Sequence, residues 1–345
     1  MNYRRALSTC LALGVGAWAA HASAIEPIPA TPGWRGFVVL GVGHTDLKSN
    51  LAAGNSLVEV GRETINSVAD APRTDSVVHP IFTGEINYTT ADRWQFFLGT
   101  SLEDALTLDG AVQLGVRREL GAGGILQGGF LFSGVQTQAW EDPYAERVVR
   151  KETDRDSTGA RLQWDSVLGS PFQLTATYRD ISLGKEASGQ GVRSVACNVA
   201  CRDLLRRDGA QYSFEVSHLY KLGSGPRHLL RPAVRYNVDD RDGAAVSSDS
   251  WSLQLSHVFL GQGYTVASNI VYGQSSFDQR NPIFGAKTDS NRFVLDTTVL
   301  YRLPIAGGRW QAVGSVTWGK DDSDVRFHEG EMLNVSVGAM YRFGS

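Results

Sequence analysis

Residues 333–343, close to the C-terminal end of the given sequence, have an apolar side chain at every second position and mostly polar ones between. Successive side chains of a β-strand point to opposite faces, so this segment predicts a strand with one apolar and one mostly polar face. An aromatic residue, Phe343, lies almost at the terminus. A closing strand of this kind is typical of a bacterial outer-membrane β-barrel, whose outer face contacts lipid and whose lumen is hydrated. The apolar set is Leu333, Val335, Val337, Ala339, Tyr341 and Phe343.

The same alternation recurs along the chain in segments long enough to cross a bilayer as tilted strands, which takes about 9–11 residues. We therefore predict an all-β fold, a transmembrane antiparallel up-and-down β-barrel with fourteen strands. One segment, around Gly36–Gly43, is apolar on both faces, and its sides cannot be assigned. The predicted strands are 34–46, 77–89, 92–104, 106–118, 124–136, 157–168, 171–183, 209–221, 228–240, 249–260, 263–275, 290–302, 309–320 and 331–343.

The connections between these strands alternate in length. Every second one is a tight turn, and most of the others are long and polar, with 104–106 as the short exception. Outer-membrane barrels have short periplasmic turns and longer external loops, so the pattern predicts both termini in the periplasm. The predicted long external loops are 47–76, 137–156, 184–208, 241–248, 276–289 and 321–330.

The N-terminus has the form of an export signal. A basic start is followed by a short apolar stretch and by Ala22-Ser23-Ala24, a small-x-small cleavage site. We predict a signal peptide at 1–24, a short periplasmic lead at 25–33 and the barrel at 34–345. Beyond residue 24 the sequence contains no run of about eighteen apolar residues, so no transmembrane helix is expected.

Charge and motif content exclude several function classes. The formal net charge is −3, and removing Arg4 and Arg5 with the signal makes it −5, so a nucleic-acid partner is not expected. Some outer-membrane lipid hydrolases place His and Ser two residues apart on one strand face. Here Ser217-His218 and Ser256-His257 are adjacent, so each pair points to opposite faces. We predict neither an enzymatic activity nor a cofactor.

Charged residues of the predicted strands fall on the face opposite the apolar one. Two interpretations remain open: these residues line a pore and set its solute preference, or they form internal ion pairs that hold a filled barrel. A guanidinium keeps its charge at any relevant pH and binds carboxylate or phosphate through two hydrogen bonds. The candidate pore-lining residues are Arg161, Asp165, Glu215, Arg231, Arg235, Arg292, Asp296 and Arg302.

Cys197 and Cys201 are the two cysteines that remain after processing, and they lie in the predicted loop 184–208. In an exported chain a disulfide between them is the expected state. A zinc site would need further ligands, and no histidine is close in sequence. No metal site is predicted.

Three loop motifs resemble the domain-of-unknown-function 2860 family: Ala139-Trp-Glu-Asp-Pro-Tyr144, Leu205-Arg-Arg-Asp-Gly209 and Asn281-Pro-Ile-Phe-Gly-Ala-Lys-Thr-Asp289. The early Pro32-Gly-Trp-Arg-Gly-Phe37 and Lys48-Ser-Asn50 are similar to it as well. The resemblance implies a Gram-negative outer-membrane barrel and transfers no substrate or catalytic residue. The motifs fall in or beside predicted external loops. They either help to close the mouth of a pore or only stabilise the structure of these loops.

The functional expectation is passive uptake of small polar or anionic solutes through a porin-like lumen, gated by loops 47–76, 137–156 and 184–208. Two alternatives stay open. One is a plugged barrel that takes up apolar molecules, and the other is a non-transporting barrel with a structural or adhesive role. The expected partners are outer-membrane lipid and lipopolysaccharide, together with the barrel-assembly machinery, which would recognise the C-terminal strand. The sequence does not determine the oligomeric state.

Overall fold

The computed structural model describes residues 27–344 except 57, 62, 101–109, 136 and 224–226. The predicted signal peptide and the predicted connection 104–106 lie outside the described residues. The strands are β1 (Gly33–Lys48), β2 (Ala52–Asn55), β3 (Val58–Glu59), β4 (Thr74–Thr89), β5 (Trp94–Thr100), β6 (Gly110–Glu119), β7 (Ile125–Val135), β8 (Thr137–Trp140), β9 (Glu152–Asp165), β10 (Phe172–Leu183), β11 (Gly209–His218), β12 (Tyr220–Leu222), β13 (His228–Arg241), β14 (Ser248–Leu260), β15 (Tyr264–Phe277), β16 (Ser290–Arg302), β17 (Trp310–Ser323) and β18 (Gly330–Phe343). One short helix, α1 (Val199–Asp203), and 3-10 turns at Gly121–Gly123, Val167–Gly169, Ala306–Gly308 and Arg326–His328 complete the fold.

Fourteen of these strands form a closed antiparallel ring, which confirms the predicted fold class. Their order is β1, β4, β5, β6, β7, β9, β10, β11, β13, β14, β15, β16, β17 and β18, after which β18 pairs with β1. At this closing seam Gly41 lies opposite Gly338. A Cβ atom on Gly41 would lie 2.6 Å from the Val337 carbonyl oxygen, so the close approach of the two strands requires glycine there.

The barrel wall is apolar outside and mostly polar inside. Large outward side chains are strongly exposed, for example Phe82 (71%) and Phe130 (70%), whereas inward neighbours such as Thr83 are fully buried. Charges are costly in the hydrocarbon layer and apolar side chains are not, so an exterior of this composition is suited to a lipid bilayer. Among the described residues, no helix is long and apolar enough to cross a membrane.

The two ends of the barrel differ, as the loop lengths predict. At one end, tight connections such as Leu120–Gly124 and Gly261–Gly263 join neighbouring strands. At the other end lie the six long loops, which carry β2, β3, β8 and α1. Residues 27–32 precede β1 at the tight-turn end, where Ile28 packs on Ile125 and its carbonyl oxygen accepts a 3.2 Å hydrogen bond from Arg93.

Candidate functional site: the lumen and its cap

The six long loops 47–76, 137–156, 184–208, 241–248, 276–289 and 321–330 fold together, and we call them the cap. Each contributes to one buried apolar cluster: Ile65, Val68, Tyr144, Leu205, Ala245, Ile283, Val325 and Phe327. The loop between β1 and β4 and the loop between β10 and β11 arise on opposite sides of the strand ring. Loops from opposite sides can meet only over the barrel axis, so the cap closes the external mouth. All three motifs of the family resemblance lie in it or at its edge.

Glu146 joins three loops of the cap. Its buried carboxylate accepts hydrogen bonds from the backbone N–H groups of Val68 (2.9 Å), Arg193 (2.8 Å) and Ser194 (2.8 Å), and from the Ser194 hydroxyl (2.8 Å). Burial alone would raise the pKa of Glu146, but these hydrogen bonds outweigh burial and lower the pKa. Four donors on one carboxylate make Glu146 the main polar junction between these loops.

Arg150 connects two loops of the cap, 137–156 and 47–76. Its Nη1 donates to the carbonyl oxygens of Asn50 (2.6 Å) and Pro143 (3.0 Å), and its guanidinium lies over the Trp140 ring at 4.3 Å. Burial lowers the pKa of Arg150 to about 10, against the opposing effect of the nearby Asp142. Asn50 in turn donates to the carbonyl oxygen of Phe327 at 3.3 Å, which ties the first external loop to the last.

Loop 184–208 is held by an ion pair and a disulfide. Arg207 binds both carboxylate oxygens of Glu186 and also donates to the carbonyl oxygen of Trp140. Burial would raise the pKa of Glu186, but its bonds to Arg207 lower it. Cys197 and Cys201 form a disulfide with Cα atoms 5.2 Å apart, and both pack against the apolar cluster of the cap.

One histidine lies inside the cap. The His328 ring is surrounded by Tyr144, Phe284 and Phe327, with ring centroids 5.5–6.2 Å away. Its Nε2 atom is buried without a hydrogen-bond partner among the described residues. Burial lowers the pKa of His328 to about 4, with Asp321 opposing the shift. His328 is therefore neutral at neutral pH.

The lumen contains a buried cluster of opposite charges below the cap. One carboxylate, Glu215 on β11, pairs with both Arg231 and Arg235 on β13, and Arg231 also donates to Gln173 on β10 at 2.7 Å. Each of the three charged residues is less than 8% exposed. One carboxylate against two guanidinium groups leaves a net positive charge. The Nε atoms of both arginines lack a hydrogen-bond partner among the described atoms.

Inward arginines are concentrated in one sector of the ring, β9, β10, β11 and β13, where β9, β10 and β13 carry them. Inward positions there carry six arginines but only three carboxylates, Asp165, Glu215 and Asp239. The candidate list from the sequence lacks three of the six. Arg155 and Arg241 were missed because the predicted strands started at 157 and ended at 240, whereas Arg179 lies within the predicted strand 171–183 but was not chosen as a candidate. We call this sector the arginine wall: Arg155, Arg161, Arg179, Arg231, Arg235 and Arg241.

The remaining candidate residues lie apart from the cluster around Glu215. Arg292 pairs with Asp321 towards the external end of the lumen. Asp296 accepts hydrogen bonds from Asn269 (2.8 Å) and Thr317 (2.9 Å). Arg302 keeps the inward alternation of Asp296 and Leu300, but it ends β16 at the tight-turn rim, where its side chain is exposed. It is therefore not part of the enclosed lumen.

The inner face opposite the arginine wall contains an aliphatic cluster among polar side chains such as Thr83 and Thr298. Val39, Ile81, Leu300, Val313 and Met340 form one buried cluster on β1, β4, β16, β17 and β18. These strands are centred half a turn around the ring from β10 and β11. The lumen thus has the arginine wall on one side and this aliphatic cluster on the other.

The two serine–histidine pairs lie near the tight-turn end. Ser217 is buried and its hydroxyl donates to Gln173 (3.3 Å), whereas the His218 ring packs on Phe172 on the other face of the wall. Ser256 is likewise buried, and His257 instead contacts His228. In each pair the serine and the histidine are on opposite faces, as predicted. Among the described residues, no group of three or more His, Cys, Asp or Glu side chains could hold a metal ion.

These features define a closed transmembrane β-barrel with a capped, arginine-lined lumen. The chain belongs to the family described as Protein of unknown function (DUF2860), which matches residues 33–342. No curated protein matches the sequence.

Solved structures with a similar fold include outer-membrane proteins of three bacteria. The channel DcaP of Acinetobacter baumannii is 10% identical, with a TM-score of 0.44 and coverage of 90% of this chain and 97% of that one. An outer-membrane channel from Pseudomonas putida F1 is 11% identical, with a TM-score of 0.43 and coverage of 92% and 100%. A loop-deletion mutant of OmpT from Vibrio cholerae is 13% identical, with a TM-score of 0.40 and coverage of 89% and 99%. Likenesses of this degree carry no functional assignment.

Proposed function

We propose that this protein is a gated outer-membrane channel for small anionic solutes, here in its closed state. The observation that carries the proposal is the excess of arginines over carboxylates on the arginine wall, beneath a cap built from all six long loops. Fixed guanidinium groups attract carboxylate and phosphate groups and bind them through paired hydrogen bonds. A solute would enter when the cap loosens and would pass along the arginine wall.

The location in the cell follows from the same features. An apolar exterior, short turns at one end and long loops at the other are the arrangement of outer-membrane barrels. The proposal therefore includes export by a signal peptide at 1–24, which is cleaved, and recognition of β18 by the barrel-assembly machinery. Sequencing the N-terminus of the membrane-extracted protein tests the cleavage; a mature chain that keeps Met1 contradicts it.

A second candidate is a barrel that transports nothing. The observation in its favour is the compensation of charges inside: Glu215 bridges Arg231 and Arg235, and Arg292 pairs with Asp321. Single-channel recording on purified protein in planar bilayers separates the two. Openings that become frequent when the cap is loosened support the channel, and silence of both wild-type protein and cap variants supports the second candidate.

We expect substitutions of the carboxylate and of the arginines in the cluster around Glu215 to shift the ion preference of the channel in opposite directions. Glu215→Gln removes the negative partner and should shift the reversal potential in a salt gradient towards anions. The triple change Arg231→Ser, Arg235→Ser and Glu215→Gln should shift it towards cations. Glu215 is replaced in the triple variant because a buried carboxylate left without its arginines would cost about 3–5 kcal/mol of stability.

Arg302→Ser is the matched control, since Arg302 is an exposed arginine at the rim of the barrel. Its reversal potential should equal that of the wild-type protein. Equal ion preference in all four proteins, with a lower melting temperature in the cluster variants, would mean that the cluster only holds strands together.

A further inference from the structure

The outer wall of the barrel has a hollow of about 760 Å³ on β5, β6, β7, β9, β10 and β11. A volume of this size falls in the range of pockets that hold small organic molecules, about 300–1,000 Å³. Small outward residues, Gly128, Ala160 and Ala176, form its floor. The hollow does not open into the lumen, because β6, β7, β9 and β10 are paired continuously behind it. We call it the wall groove.

The shape of the wall groove follows from the strand register. Ala160 lies between Phe130 and Tyr178 on the neighbouring strands, and Ala176 lies between Leu162 and Phe214. Each small side chain is thus flanked by large ones, which are all strongly exposed. A Cβ atom at Gly128 would contact only the tip of Leu162, so the space over it is empty. The result is a concave apolar surface within the lipid-facing exterior.

A cation lies at one end of the wall groove. Val116 lines the groove, and Arg118 follows two residues later on the same outward face, about 7 Å further along β6. The Arg118 side chain is exposed and its guanidinium lies over the Trp94 ring at 4.2 Å. Among the described residues no carboxylate pairs with it. β6 ends at Glu119, so Arg118 lies at the level of the tight turns, which is the periplasmic border of the membrane.

We propose that the wall groove binds one glycerophospholipid of the periplasmic leaflet. Its acyl chain would lie on Gly128, Ala160 and Ala176, and its phosphate would bind Arg118. The groove is continuous with the surface that already contacts lipid, and the cation stands at the depth of the phosphate groups. Arginine binds phosphate through two hydrogen bonds, and the Trp94 ring beneath it suits the headgroup level.

A flexible chain fits this surface better than a second copy of the barrel. A second copy would have to place matching rigid side chains in the hollow, between its aromatic rims. An acyl chain can follow the floor between the aromatic rims and make contacts that a rigid wall would lose. The wall groove would therefore retain one lipid more strongly than the rest of the exterior does.

The test is native mass spectrometry of the full-length protein in detergent, delipidated and titrated with dipalmitoyl phosphatidylglycerol. The wild-type protein should bind one lipid before any others. Arg118→Gln should weaken this first binding about tenfold, the effect expected for losing one charge-assisted phosphate contact. Ala160→Leu with Ala176→Leu should abolish the first binding by filling the groove.

Two controls match these changes in chemistry but lie elsewhere. Arg309→Gln removes an exposed arginine in the turn before β17, and Ala312→Leu enlarges an outward alanine on β17. Both should bind the first lipid as the wild-type protein does. Equal first binding in all variants would overturn the proposal. So would a groove-filling variant that keeps its lipid but loses an oligomer, because the groove would then be covered by a second copy.

Discussion

Replacing Glu146 by Gln is expected to open the cap. The neutral amide can no longer accept four hydrogen bonds as a carboxylate does, and donors on two other loops lose their partner. Hydrogen bonds to a charged group contribute about 1.5–3 kcal/mol each. We therefore expect Glu146→Gln to destabilise the closed cap by about 3 kcal/mol, which corresponds to one or two of these bonds. That loss lowers the ratio of closed to open cap about a hundredfold.

Two measurements report this change. Hydrogen exchange at the amides of Val68, Arg193 and Ser194 should accelerate, because these groups donate to Glu146. Open probability in planar bilayers should rise in parallel. The matched control is Asp242→Asn, which also removes one negative charge from the cap but breaks only an exposed pair with Arg206. Exposed pairs contribute little, so this variant should behave like the wild-type protein. If hydrogen exchange accelerates but no conductance is seen, the cap opens without forming a channel, and the proposed gating is wrong.

Acidification is expected to loosen the cap through His328. Burial lowers its pKa to about 4 in the closed cap, whereas a solvated histidine has a pKa near 6.5. Between these two values the open form binds more protons than the closed form, so the closed form loses stability as the pH falls. The full loss is about 3 kcal/mol, from about 1.4 kcal/mol per pKa unit. The stabilising effect of the lowered pKa of Glu146 is lost only at lower pH, because a carboxylate starts from a pKa near 4.3.

Open probability should therefore rise between pH 7 and pH 5 in the wild-type protein. His328→Phe keeps an aromatic ring against Tyr144 and Phe284 but cannot take a proton, so its cap should stay closed at pH 5. His228→Gln, a change at the opposite end of the barrel, should retain the response to pH. If His328→Phe responds to acid as the wild-type protein does, another group controls the cap.

Much of the barrel could be predicted because each membrane strand has one side in lipid. Because of that constraint, every second residue of a strand is apolar, as in Leu333–Phe343. The tight turns then determine how neighbouring strands pair. The exception is informative. Gly36–Gly43 could not be assigned because Val39, which faces inward, is as apolar as the outward Leu40. Val39 belongs to the aliphatic cluster on the inner wall, to which five strands contribute one residue each.

The cap and the full arginine wall could not be predicted in the same way. Cap contacts join irregular segments that are far apart in sequence, such as Asn50 with Phe327. No repeating pattern of apolar and polar residues predicts such contacts. Arg155 and Arg241 lie on strand extensions beyond the membrane-crossing core, where the alternation of apolar residues stops. Their position depends on strand length above the bilayer, which lipid does not constrain.

The hydrogen bond between Asn50 and Phe327 lies over the seam of the barrel. Asn50 follows the first strand of the ring and Phe327 precedes the last, and these two strands pair with each other. The two ends of the ring are therefore joined twice, once by the strand pairing of β1 with β18 and once by the cap above it. A change that weakens the seam should for this reason also weaken the cap.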